Sequence, residues 1–323
     1  MKFSTLLLGG LALVGPSAFG AESFPGTKPL RFETVGSPGG LPDTVARVLT
    51  NDLSKSLGVP IVVENRPGAG GNLAAGVVAK AEPDGHTFLV TGTNYAVNPA
   101  LLPNPGFDYD RDLVPVAMIV ATKSLIVAAP SFAAKNINDV IAVAKQKPKA
   151  VSIAIGEIGT PSHLGAEMLA QYGDVDLTFV PYGGIPQALP DLMANRVDLT
   201  VGAISTVLPL VRSDKLKAVA MLSPQRSPLA PDIATAAEEG FSQMQIDNWI
   251  CIMTTGGTPA PIIARLDQEI AEALQLPAVR DTFAKQGVEV FHMSPAQLGA
   301  FLKSESARFA KLLENSRVKR ASP

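Results

Sequence analysis

Apolar residues along this chain fall into short runs that alternate with stretches where they return every third or fourth position. The runs predict strands, and the wider spacing predicts amphipathic helices. The first pair is a strand at 30–35 and a helix at 42–57, where Val45, Leu49, Leu53 and Leu57 lie four apart and Gly58 supplies a stop. A strand at 61–64, a glycine-rich turn at 65–71, a small-residue helix at 73–81 and a strand at 86–91 complete a β-α-β-α-β order. Such alternation predicts a parallel sheet with ligands gathered at the carboxyl ends of its strands. The turns after residues 35 and 91 then share one rim.

Two apolar segments, 114–120 and 125–129, run nearly end to end and predict a crossing into a second lobe. There the alternation resumes: helix 137–147, strand 151–155, a helix opening at Pro161, strand 177–181, helix 186–194 and strand 197–203. A strand at 216–222 is expected to return the chain. A helix opened by Thr258-Pro259, with Ile262, Leu266, Ile270 and Leu274 on one face, and a last helix behind the capping box Ser294-Pro295-Ala296-Gln297 then complete the first lobe. The predicted fold class is α/β, two lobes joined by crossing strands, with lobe one at 26–121 and 225–323 and lobe two at 122–224.

Length supports two cores, since 323 residues exceed one average domain. With 46% hydrophobic and 17% charged residues and a net charge of −2, there is no basic surplus for a phosphate backbone, which excludes nucleic acid as a partner. Residues 1–20 carry Lys2, an apolar run at 6–14 and the small residues Ala18 and Gly20, the pattern of a cleaved secretory signal. The apolar run is too short for a permanent span, and no later one reaches about 18 residues, so a soluble protein exported to the periplasm is expected. Cys251 is the only cysteine, which rules out an intramolecular disulfide. No Cys/His metal spacing exists, and neither metal nor cofactor is expected.

The chemistry concentrates in turns. In Gly159-Thr160-Pro161-Ser162-His163, Thr160 suits an N-cap and Pro161 the first helical position, so backbone N–H groups face whatever lies above the preceding strand. An anion fits there, but one helix end contributes only about 0.3–1 kcal/mol. A second grip is available in Ser37-Pro38-Gly39-Gly40 with Asp43, and the two turns are predicted to meet around a carboxylate. The same rim is expected to carry Thr93, Asn94 and Tyr95, then Tyr182, Gly183 and Gly184, then Gly202, with Trp249 beside it. Plainer readings compete. A Gly-Thr-Pro sequence is ordinarily a tight turn, and Asp43 can simply favour its helix dipole. The stretch 68–73 mimics a dinucleotide fingerprint but ends in Leu73. Ser162 and His163 are adjacent at a helix start, about 100° apart, and lack a nucleophile elbow. An exported hydrolase using Ser162 is thus the alternative from another class, and the expected protein is not an enzyme.

Several motifs together resemble the periplasmic solute-binding receptors of tripartite tricarboxylate transporters, the Bug or TctC family. They are Pro38-Gly39-Gly40 with Asp43 and Ala46-Arg47, the stretch 63–72 around Asn65-Arg66-Pro67-Gly68, Ala81-Glu82-Pro83-Asp84-Gly85, Asn98-Pro99, 159–164, Pro181-Tyr182 and Gly256-Gly257-Thr258-Pro259. The resemblance covers nearly the whole mature chain. It implies lobes that close like a Venus flytrap, jaws at 37–43 and 156–163, and a carboxylate held by backbone N–H groups, small hydroxyls and bridging waters. It also implies a monomer that serves transporter membrane subunits, or a sensor kinase. Gly183 stands where relatives commonly have a basic residue, Gly202 near a common acidic one, and Asn248 before Trp249 where glycine is usual. That charge-poor rim is expected to suit a mono- or dicarboxylate, aliphatic or aromatic, better than an amino-bearing ligand.

Overall fold

The computed structural model describes residues 24–102, 104–156 and 158–314; the expected signal at 1–20 lies outside the described residues. The chain begins with β1 (Leu30–Thr34) and α1 (Leu41–Leu57). Val45, Leu49 and Leu53 are fully buried on one face of α1, contributing about 1.5–3 kcal/mol each. Gly58 closes the helix at φ 72°, its N–H donated to the Ser54 carbonyl, a conformation that side chains with a Cβ resist. Next come β2 (Ile61–Asn65), one 3-10 turn at Ala69–Gly71, α2 (Asn72–Ala79), β3 (Thr87–Gly92) and α3 (Asn94–Leu101).

The long strand β4 (Leu113–Ala128) leads to α4 (Ile137–Gln146), β5 (Ser152–Ile155), α5 (Pro161–Tyr172), β6 (Thr178–Pro181) and α6 (Ile185–Met193). They are followed by β7 (Leu199–Ala203), α7 (Ile204–Arg212) and β8 (Lys217–Met221). The last part holds β9 (Asp247–Thr255), α8 (Ala260–Ala273), α9 (Pro277–Lys285), β10 (Glu289–Met293) and α10 (Pro295–Glu314).

Strand order is β2-β1-β3-β9-β4-β7-β5-β6, with β8 and β10 also on β4. β1 lies parallel between β2 and β3, and β5 lies parallel between β6 and β7. Between these parallel halves β4 runs antiparallel to everything it touches. Its first part pairs with β9 and β10, from Leu113 opposite Thr255 to Lys123 opposite Asp247. Its last part, Ser124 to Ala128, pairs with β7 and β8. One strand therefore belongs to both lobes. The first lobe packs α1, α8 and α9 on one side of its sheet through Phe32, Phe88, Leu266, Ile270 and Phe283, and α2, α3 and α10 on the other.

Several elements differ from the sequence reading. The polar stretch Thr122-Lys123-Ser124 suggests a break, yet β4 continues through it, paired with β9 as far as Lys123 and with β7 from Ser124 onward. The strand β8 stays on the second part of β4, and β9 carries the chain back. α3, α7, α9, β9 and β10 have no counterpart in the sequence reading. No helix among the described residues is long and apolar enough to cross a membrane.

Candidate functional site

In each parallel half, a strand ends, the chain turns through small residues, and a helix begins over the sheet's edge. The turns of both halves face one cavity of about 410 Å³. α1 presents Gly40, Leu41 and Pro42 to it; α2 presents Gly70 and Gly71; α3 presents Thr93 and Asn94. From the second lobe α5 presents Thr160, Pro161 and Ser162, α6 presents Gly184, Ile185 and Pro186, and α7 presents Ala203, Ser205 and Thr206. Ser124, Asn248 and Ile250 of the crossing strands form the wall between them. Six helix starts thus converge, each with N–H groups that have no intrahelical partner.

No charged side chain lines this cavity among the described residues. The first turns of α2, α3, α5, α6 and α7 contain no acidic residue. Only α1 has one, Asp43, and it is buried beneath the turn. Its carboxylate accepts from the Gly39 N–H at 2.8 Å, Arg47 Nε at 2.9 Å and Asn65 Nδ2 at 2.9 Å. Burial pushes the Asp43 carboxyl up, but the hydrogen bonds from Arg47, Gly39 and Asn65 outweigh it and hold the group below its ordinary value. The neighbouring base Arg66 is held by Glu33 and Glu64. A larger cavity, about 910 Å³, lies on the outer face of lobe one between α3 and α10; the first turns of two helices reach it, against six in the cleft.

Of the residues expected at the rim, Ser37, Gly40, Thr93, Asn94, Thr160, Ser162, Gly183, Gly184 and Gly202 line the cleft. Seven do not. Pro38 and Gly39 sit off the wall, and Asp43 below it supports the turn. Gly159 donates its N–H to His163 Nδ1 at 3.2 Å, and the fully buried His163 ring therefore braces the turn from behind. Tyr95 is buried on the far side of α3, donating to the Tyr109 carbonyl at 2.8 Å and lining the outer cavity. Tyr182 turns outward to donate to Asp191 at 2.9 Å. Trp249 packs edge-on against Phe301 of α10, on the face of β9 opposite Asn248.

Ser124, Ser205, Thr206, Asn248 and Ile250 are cleft residues that the sequence reading lacks. The strand alternation around Trp249 was the available signal, since it places Asn248 and Ile250 together on the other face. Ser162 Oγ accepts the Gly156 N–H at 2.9 Å and lies 3.0 Å from Thr160 Oγ1, while His163 bonds Gly159, so serine and histidine form no nucleophile–base pair. No group of His, Cys, Asp and Glu suited to a metal occurs among the described residues.

A two-lobed α/β protein whose helix starts ring one interlobe cleft has the architecture of a solute receptor. The family model described as tripartite tricarboxylate transporter family receptor matches residues 45–318, and the chain belongs to that family, the Bug or TctC periplasmic solute-binding proteins. It is 30% identical to the solved periplasmic binding protein BugD, with a TM-score of 0.80 over 91% of this chain and 99% of that one. Malate-bound MatC of Rhodopseudomonas palustris is 32% identical, with a TM-score of 0.79 over 90% of this chain and 100% of its own. Adipate-bound Rpa4515 of R. palustris is 28% identical, with a TM-score of 0.80 over 90% and 97%.

Proposed function

We propose that this chain is an exported, non-enzymatic receptor that closes around a small carboxylate and delivers it to the membrane subunits of a tripartite tricarboxylate-type transporter. The observation that carries this reading is the convergence of six helix starts on a cleft that, among the described residues, no charged side chain lines. Helix ends contribute about 0.3–1 kcal/mol each, and hydrogen bonds to a charged ligand about 1.5–3 kcal/mol. A few of each reach the roughly −8 kcal/mol of a micromolar complex without a metal. The malate and adipate in related structures support the ligand class. We take the lobes to part at 121/122, close to where β4 changes partner, and again at 224/225.

The test is a thermal-shift screen of the mature protein against malate, adipate, citrate and benzene dicarboxylates, with calorimetry on the hits. Ligand at about 100 times Kd adds roughly 2.7 kcal/mol of stability, which is readily detected. Silence across all of these acids with folded protein would sink the carboxylate reading.

A further inference from the structure

Two buried polar atoms near the joint between the lobes lack partners, and they stand two residues apart on one strand. Oδ1 of Asp247 and Nε1 of Trp249 are sealed from solvent without a hydrogen bond. They share the face of β9 that turns away from the cleft, where Trp249 meets Phe301. One is an acceptor when ionised and the other is a donor. Unpaired polar groups of this kind are costly in a fixed core and call for an explanation.

Their position supplies one. Asp247 lies opposite Lys123, the residue before β4 passes from β9 to β7, so the pair sits where the two lobes join. Its main-chain carbonyl accepts from Thr93 Oγ1 at 3.2 Å, and Thr93, Asn248 and Ile250 all line the ligand cavity. The charged groups facing the Asp247 carboxyl are Lys123 on β4, Glu289 on β10, and Glu305 and Arg308 on α10. Arg308 is held by Glu305 and the Gln245 carbonyl, so it gives Asp247 no hydrogen bond. The lobes already touch in this conformation: a methyl group on Gly159 of the second would lie 3.4 Å from Leu101 of the first.

We propose that Asp247, with Trp249, is a proton-sensitive joint that couples lobe closure, and hence ligand affinity, to pH. Burial pushes the Asp247 carboxyl up to about 6, the acidic neighbours adding to burial and Lys123 and Arg308 opposing it. Opening at the joint admits water and returns the group toward the ordinary value of about 3.9. A group raised in the closed form favours that form when protonated, an advantage present at low pH and lost as pH rises through about 6. Lower pH therefore favours the closed receptor.

Trp249 is the only tryptophan in the chain and reports directly on its neighbour. In the malate-saturated, closed protein its emission is expected to titrate with a midpoint near 6, and D247N, of equal size and never ionised, removes the transition. Binding of malate and adipate, measured by calorimetry at pH 5.5 and 7.5, is expected to be about four-fold tighter at the lower pH relative to the same ratio in D247N, from carboxyl values near 6 closed and 3.9 open. Thermal unfolding shows whether D247N is folded, and K123M, which removes the facing cation, is expected to move the emission midpoint upward. A flat emission curve in the wild type, or an identical titration in D247N, overturns the proposal.

Discussion

Asp43 shows how a single side chain shapes a binding turn without touching the ligand cavity. Its carboxylate joins the Gly39 N–H, Arg47 and Asn65, while Asn65 Nδ2 also donates to the Gly36 carbonyl at 2.9 Å, so the end of β2 holds the turn that follows β1. D43N keeps the shape but loses the charge-assisted bonds, and a loss of about 1–3 kcal/mol is expected in urea melts at neutral pH. Because the folded value is depressed, the stabilisation is present above the ordinary carboxylate range and lost as pH falls through the folded value. The gap between wild type and D43N should hold steady from about pH 5 to 8 and shrink below about 4. A gap that is unchanged in acid would mean the charge is irrelevant. The helix-dipole role of Asp43 was legible from its place in a first turn. Its grip on Asn65, 22 residues away, was not, because nothing local encodes which strands become neighbours.

At the scale of elements, the strand-turn-helix starts were legible because glycine, proline and N-cap chemistry act within a few residues. Directions were not: Tyr95 and Tyr182 follow rim strands in sequence, yet one points into the α3 core and the other to Asp191. α7 was missed because β7 ends at Ala203 and the helix starts at Ile204, with no turn residue between them. The turn before α5 offers a graded test. Gly159 has φ 86° and lies close to α3, whereas Gly39 has φ 79° with open space around it. G39A therefore costs only backbone strain, about 1 kcal/mol, while in G159V the Cβ already reaches contact with Leu101 at 3.4 Å and Val97 at 3.6 Å, which leaves the two further methyl groups to press on α3 and displace the second jaw. Calorimetry should find G159V at least about ten-fold weaker for ligand with circular dichroism unchanged, and G39A much closer to wild type. S162A strands the buried Gly156 N–H and should lower stability by about 1–3 kcal/mol.

At the scale of the whole molecule, ligand choice follows from the sum of the turns. Helix starts from both lobes aim partial positive charge into one cavity, and no acidic side chain lines it among the described residues. A second carboxylate finds helix ends on the opposite lobe, but an ammonium group finds the same sign of field and, among the described residues, no counter-charge. Desolvating an unpaired ammonium costs several kcal/mol, enough to outweigh what one carboxylate gains. Malate should therefore bind at least about ten-fold tighter than aspartate, a difference of about 1.4 kcal/mol, by calorimetry at pH 7.5. Gly184 allows the converse experiment. It caps α6 in an extended conformation, φ 164°, and a Cβ there would meet only Pro186 at 3.8 Å, so G184D places an acid at the cleft in a favoured N-cap position. That variant should weaken malate and narrow or reverse its lead over aspartate. Aspartate binding as tightly as malate in the wild type would show that the field of the helix starts does not select the ligand.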